Sequence, residues 1–228
     1  MASLEVRSPD ARGSSPPTDS RLSASPRLFD NPLLDKLSRV HWWMPLVLYA
    51  PFVVLLAWVS FTTLAPALVG LAAACGYVAW TLTEYFGHRY LFHTEFPGEL
   101  GARFHFLIHG VHHDHPNDPL RLVMPPLMSL PIMAIAFVVI LVIDNSPLLA
   151  FPALAYPTLM GFMLGYLIYD MVHYYLHHGE PKTSAGRNLR RLHMLHHFHD
   201  AERGFGISAP WWDKIFRTAH PSAQDQRP

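Results

Sequence analysis

Apolar and polar positions fall in long blocks along this chain. From residue 40 to residue 83 there are 44 residues without a formal charge, about twice the ~20 that one membrane-spanning helix needs. Thr62-Thr63 and Pro66 interrupt the block, which predicts two helices, about 44–62 and 67–87. A second apolar block runs from Leu122 to Ile143, breaks at Asp144-Asn145-Ser146-Pro147 and continues without charge to Tyr169. It predicts two more helices, about 125–143 and 150–177. Buried helices of a soluble protein are the competing reading, and uncharged runs of this length argue against it. The expected fold is an all-α integral membrane protein with four transmembrane helices.

The flanks fit that picture. Residues 1–30 are rich in Ser, Pro and Arg without apolar periodicity and are expected to form a disordered tail, because they cannot bury enough surface to offset ordering entropy. No apolar segment of signal-peptide type follows the first basic residues. Asn31-Pro32 offers an N-cap and a first-turn proline for a short amphipathic helix in the 31–43 segment, with Leu33, Leu34 and Leu37 on one side. Trp42 and Trp43 follow as interfacial anchors. Six of the 17 Lys and Arg residues precede residue 40, three lie in 88–123 and eight follow 178. With four spans, all 17 fall on one side of the bilayer, as cytoplasmic flanks should. Both termini and a cap built from 88–123 and 178–218 are then expected in the cytosol, with 219–228 as a C-terminal tail.

Composition narrows the function. The 17 basic and 17 acidic residues cancel, so no cationic surplus supports nucleic-acid binding. The single cysteine, Cys75, excludes an intramolecular disulfide and a multi-thiolate metal site. Met124, Met128 and Met133 are spread along an apolar span and read as packing residues. The unusual count is 16 histidines, 14 of them within 88–115 and 173–199.

Four clusters stand out: His88-x4-His93, His109-x2-His112-His113, His173-x3-His177 and His193-x2-His196-His197. At about 100° per residue, positions i, i+3 and i+4 share one helix face, so each HxxHH triplet presents three imidazoles in one direction. His88 and His93 lie about 140° apart on an α-helix, which requires the helix to end or bend there. Ten imidazoles exceed one coordination shell. Two metal ions with about five each is the natural count, and imidazole suits Zn, Cu, Fe and Ni alike. Glu84 and Asp170 precede His88 and His173 by one helical turn and are expected to accept from ligand N–H groups. His105 shares a face with His109 and His112 and reads as a spare ligand or supporting donor. His115, His178 and His199 read as ordinary neighbours of the clusters.

The text around these histidines resembles the fatty acid hydroxylase family of membrane di-metal proteins, and within it the fatty acid 2-hydroxylases. FHFLIHGVHHDHPNDPLRLVMPP (104–126), YDMVHYYLHHGEPK (169–182) and LHMLHHFHDAERGFGISAPWWDKIFRT (192–218) carry the likeness, which spans about residues 80–218. RLVMPP (121–126) and GFGIS (204–208) are its discriminating pieces. The resemblance implies a four-helix base, a cytosolic cap and a di-metal centre held by His88, His93, His109, His112, His113, His173, His177, His193, His196 and His197. No separate acid or base residue is proposed.

It further implies two iron ions, replaceable by zinc in purified protein, dioxygen as co-substrate, and a hydroxyl added at C2 of a long-chain fatty acid or of the N-acyl chain of a sphingolipid. The segment before residue 40 is too short for a cytochrome b5 domain, so electrons are expected from a separate cytochrome b5, ferredoxin or rubredoxin. A bacterial inner membrane is the expected location, or the endoplasmic reticulum in a eukaryote. Trp211, Trp212, Ile215 and Phe216 are expected to dock the cap on the bilayer, close the acyl channel or pack within the cap. The alternatives are a sterol or carotenoid oxidase on the same scaffold, and a non-catalytic metal- or haem-binding membrane protein.

Overall fold

The computed structural model describes residues 19–146 and 153–221. Ordered along the chain are α1 (Asp19–Leu22), α2 (Pro32–Leu37), α3 (Met44–Thr63), α4 (Pro66–Phe86), α5 (Gly98–His105), α6 (Val111–Asp114), α7 (Pro126–Asp144), α8 (Ala155–His178), α9 (Ser184–Phe198) and α10 (Trp211–Ile215). Two π-helical segments, Gly87–Phe92 and Phe106–Gly110, link α4 onward and α5 to α6. The described residues contain no strand.

Among the described residues, three helices are long and apolar enough to cross a membrane: Met44–Thr63, Pro66–Phe92 and Pro126–Asp144. They match three of the four expected spans within a few residues. The fourth, α8, is long enough but more polar, carrying Tyr166, Tyr169, Asp170 and His173 as buried residues. Packing accounts for the difference. A helix enclosed by α3, α4 and α7 can carry polar groups inward that a lipid-facing helix cannot.

The α4–α8 contact sets the spacing of the whole base. A Cβ on Gly161 would lie 1.9 Å from the Ala73 carbonyl oxygen, and one on Gly76 would lie 1.9 Å from the Thr158 carbonyl oxygen. The two backbones therefore touch, as small residues permit in membrane helix pairs. Below that contact Trp80 meets Phe162 and Tyr166 edge-on at 5.3 and 5.2 Å between centroids. Tyr49 of α3 packs on Tyr166 and its hydroxyl donates to Ser129 Oγ of α7 at 2.8 Å. Close approach thus brings the C-terminal end of α4, which leads into the π-helical segment carrying His88, beside the C-terminal half of α8, which carries His173.

Asn31 caps α2 as expected, accepting from the Leu33 and Leu34 amides at 2.9 and 3.3 Å. The helix is shorter than the 31–43 segment and ends at Leu37, leaving Leu33, Leu37 and Trp42 exposed. The expectation of disorder through residue 30 is corrected for residues 19–30. Arg21 and Leu22 carbonyls accept from His115 Nδ1 (2.7 Å) and the Asn117 amide (3.0 Å), and Arg39 binds the Ser25 and Pro26 carbonyls. These partners lie in distant sequence, invisible to a local reading. The 1–18 part of the tail, residues 222–228 and the start of the fourth expected span at 150 lie outside the described residues.

Candidate metal centre

All ten expected ligand histidines converge, in two groups of five. His88, His93, His109, His113 and His196 form group A; His112, His173, His177, His193 and His197 form group B. Within each group the ligand nitrogens lie within 4.8 Å of one another. In group A, Nε2 atoms stand 3.1 Å apart for His88–His109, 3.0 Å for His109–His113 and 3.0 Å for His93–His196. In group B the pairs His112–His173, His177–His193 and His193–His197 stand 3.1, 2.8 and 3.2 Å apart. The groups adjoin where the His113 and His197 rings stack at 4.3 Å.

Local helix chemistry explains this convergence and refines the expectation about His88 and His93. The helix widens into a π-helical turn and ends at Phe92, with His93 as its C-cap. In the π-helical segment 87–92 the His93 amide bonds the His88 carbonyl at 3.2 Å, so residues five apart come into register, as π-turns at functional sites allow. The HxxHH triplets are shared rather than confined to one metal. His109 and His113 serve group A while His112 serves group B; His193 and His197 serve group B while His196 serves group A. Each i, i+4 pair stays together, and the i+3 member crosses to the other group.

The residues fit a metal. Nitrogen ligands about 2.0–2.1 Å from an ion stand about 3 Å from their neighbours, which is the separation seen here. The orienting groups fit as well: His88 Nδ1 donates to the Phe205 carbonyl and His196 Nδ1 to the Arg203 carbonyl, both at 2.7 Å. A protonated Nδ1 leaves Nε2 with its lone pair free, directed into the group. Burial, reinforced by neighbouring imidazoles, pushes the ring pKa values of His109, His112, His193 and His197 well below the ordinary value. Burial with His196 and His93 close by brings His113 down to about 2, and burial, opposed by the Arg203 carbonyl, brings His196 to about 4. Neutral imidazoles whose lone pairs face one another at 3 Å need a cation between them. His105 is half-buried and lies outside both groups. His115 Nδ1 is bonded to the Arg21 carbonyl, and His178 packs at a tilt against Tyr174.

The expectation for Glu84 and Asp170 is corrected. Neither accepts from a histidine ring. Glu84 takes the Ser208 amide at 2.7 Å and the Ser208 hydroxyl, and Asp170 takes the Met124 amide at 3.2 Å. The two buried carboxylates therefore anchor the RLVMPP and GFGIS segments by their backbones. At His88 the Phe205 carbonyl takes the role expected of Glu84, and His173 Nδ1 is buried without a partner.

A residue that spacing did not single out completes this arrangement. Asp213 accepts from the Phe205 amide (2.8 Å), the Gly206 amide (2.9 Å) and Thr218 Oγ1 (2.8 Å). Gly204, at φ +77, makes the turn that lets the loop present the Arg203 and Phe205 carbonyls to His196 and His88. The signal available in sequence was the acid itself, placed between aromatic and apolar residues in WWDKIF.

The fatty acid hydroxylase family model matches residues 73–218, the stretch that holds every histidine of both groups. The chain belongs to this family. It is 39% identical over 85% of its length to a dihydroceramide fatty acyl 2-hydroxylase of Arabidopsis thaliana, covering 79% of that relative. It is 34% identical over 88% of its length to a fatty acid 2-hydroxylase of Rattus norvegicus, covering 58% of it. Among solved structures, the hydroxylase domain of full-length scs7p superimposes with a TM-score of 0.77 at 31% identity, covering 88% of this chain and 73% of that one. These relatives are named for fatty acyl hydroxylation, so the family likeness does not favour the sterol, carotenoid or non-catalytic alternatives.

Proposed function

We propose that this protein is an O2-dependent membrane di-iron hydroxylase that adds a hydroxyl at C2 of a long acyl chain, free or as the N-acyl chain of a ceramide-type lipid. The observation that carries the reading is the pair of five-imidazole groups, set side by side at the ends of apolar helices. The names of the relatives supply the substrate class and the carbon attacked.

His88, His93, His109, His113 and His196 would hold one iron and the other five histidines the second. Bound there, the irons supply the reduction of dioxygen that protein side chains cannot perform; zinc occupies imidazole sites readily but has no redox chemistry. The chain's own work is positional. The Phe205 and Arg203 carbonyls hold protons on Nδ1 of His88 and His196, and Asp213 and Glu84 fix the loop that carries those carbonyls. Burial of His88, His112, His193 and His196 keeps bulk water from the site. In the membrane, α8 would act as a fourth span beside α3, α4 and α7. With that fourth span, the basic flanks support a cytosolic position for both histidine groups and the cap, at the level of the carbonyl end of an acyl chain.

The test is mass spectrometry of hydrolysed lipids from a host lacking 2-hydroxy acids, supplied with a redox partner and expressing this protein or His112→Ala. The expected result is 2-hydroxy acyl chains with the unmutated protein alone. Oxygenated sterols or carotenoids instead, or no product from iron-loaded protein with verified electron supply, would overturn the proposal.

A further inference from the structure

A cavity of about 210 Å3 opens between α9, the 204–210 loop and the segment after α10. None of its lining comes from α3, α4, α7 or α8. His193 is among its lining residues; it belongs to group B and is 3% exposed. His193 Nε2 faces the other ligands, while its Nδ1 is buried without a partner. His220 also lines the cavity, and its Nε2 is likewise buried and unpartnered. Neither ring nitrogen is exposed to the cavity, so the character of the opening is set at its rim.

The rim indicates its sign. Arg191 and Lys214 line the cavity and are exposed, and no described carboxylate lies within ion-pair distance of either. Asp213 also lines it, but both its oxygens are occupied by the Phe205 and Gly206 amides and Thr218. Asp200, near His220, is paired with Arg203 at 3.3 Å. The whole of α9 carries no acid, and Arg187 and Arg190 extend the cationic face.

We propose that this cavity and its rim are the docking socket for an acidic one-electron carrier protein, with His193 as the port through which electrons reach the metal centre. The inference rests on the hydroxylase reading for its purpose. Each hydroxylation consumes R–H, O2, two electrons and two protons and yields R–OH and water. A haem or iron–sulfur carrier delivering one electron at a time is oxidised twice per turnover. A carrier carboxylate paired with Arg191 or Lys214 brings the carrier to a cavity lined by His193, itself a candidate ligand. Complementary charge of this kind raises association rates and makes them salt-dependent.

The experiment compares the holoprotein in lipid nanodiscs with the double variant Arg191→Glu/Lys214→Glu and with Lys36→Glu on α2. The probe is an acidic soluble cytochrome b5 domain; a small reductant, dithionite-reduced methyl viologen, needs no docking. Direct binding of the cytochrome is measured across ionic strength alongside turnover and iron content. The expected result is at least about tenfold weaker cytochrome binding and a correspondingly higher half-saturating concentration in the double variant. Its salt dependence flattens, while iron content and viologen-driven turnover stay at the wild-type level, and Lys36→Glu binds normally. Unchanged cytochrome binding in the double variant, equal weakening by Lys36→Glu, or a rise in the lipid KM in place of the carrier's would overturn the socket. Failure of the wild type to hydroxylate with either reductant, with binding still dependent on Arg191 and Lys214, would instead sink the hydroxylase reading alone.

Discussion

Replacing Asp213 with asparagine changes one atom and should release one metal. The carboxylate accepts three hydrogen bonds, two on Oδ1 from the Phe205 amide and Thr218 and one on Oδ2 from the Gly206 amide. With the amide oxygen kept at the Oδ1 position, its NH2 meets the Gly206 N–H, donor against donor. An unsatisfied buried donor costs about 1–3 kcal/mol, and the two remaining bonds lose their charge assistance. Burial pushes the Asp213 pKa up, so relief of a buried charge offsets part of this, and about 1–3 kcal/mol remains. The loop then shifts the Phe205 carbonyl from His88 Nδ1 and the Arg203 carbonyl from His196 Nδ1. Loss of such orienting partners typically weakens metal binding about 10–100-fold, which is about 1.4–2.7 kcal/mol and agrees with the local estimate. Both affected histidines belong to group A. The assay is metal content per chain after a graded chelator challenge, with thermal unfolding as a check on folding. The variant should fall from about two metals to about one at chelator concentrations that leave the wild type loaded. Equal loss from both groups, or no loss at all, would refute the reasoning.

The remaining predictions probe other links. Gly161→Val puts a branched side chain where even a Cβ lies 1.9 Å from the Ala73 carbonyl; separating α4 from α8 costs about 3 kcal/mol or more, measured as loss of monodisperse protein in detergent. Glu84→Leu removes both acceptors from the Ser208 amide and hydroxyl, and should lower metal retention at group A while leaving group B loaded, read by the same chelator titration. In metal-stripped protein, His196 and His113 have folded pKa values of about 4 and 2, below the unfolded value of about 6.5. The unfolded chain therefore binds more protons below that value. Their stabilisation is complete above about pH 6.5, declines as pH falls toward the folded pKa values, and should appear as a Tm that drops between pH 7 and 5. A Tm independent of pH over that window would contradict the burial of neutral imidazoles.

Much of this molecule was legible in its amino-acid order, because the governing signals are local. Uncharged runs of spanning length mark α3, α4 and α7 within a few residues, since the cost of burying charge in lipid acts on each segment alone. The Asn31 cap is equally local. Eight of the ten histidines were identifiable because imidazoles three and four apart share a helix face whatever surrounds that helix; His88 and His93, five apart, needed the π-turn to meet. The segment 19–30 was not legible, because its order comes from partners at residues 39 and 115–117.

Tertiary structure alone decided how those histidines divide. Spacing treats the members of an HxxHH triplet alike, but their allotment to two groups depends on where the π-turn rotates His93 and where α8 and α9 meet α6. It also decided what steadies them. Glu84 and Asp170 stand one turn from ligands on the same helices, yet their oxygens face segments more than forty residues away, Ser208 and Met124. The acceptors for His88 and His196 are backbone carbonyls, which every residue carries and no sequence pattern distinguishes. Residue type and period can nominate ligands; only the packed chain determines which carbonyl each ligand meets.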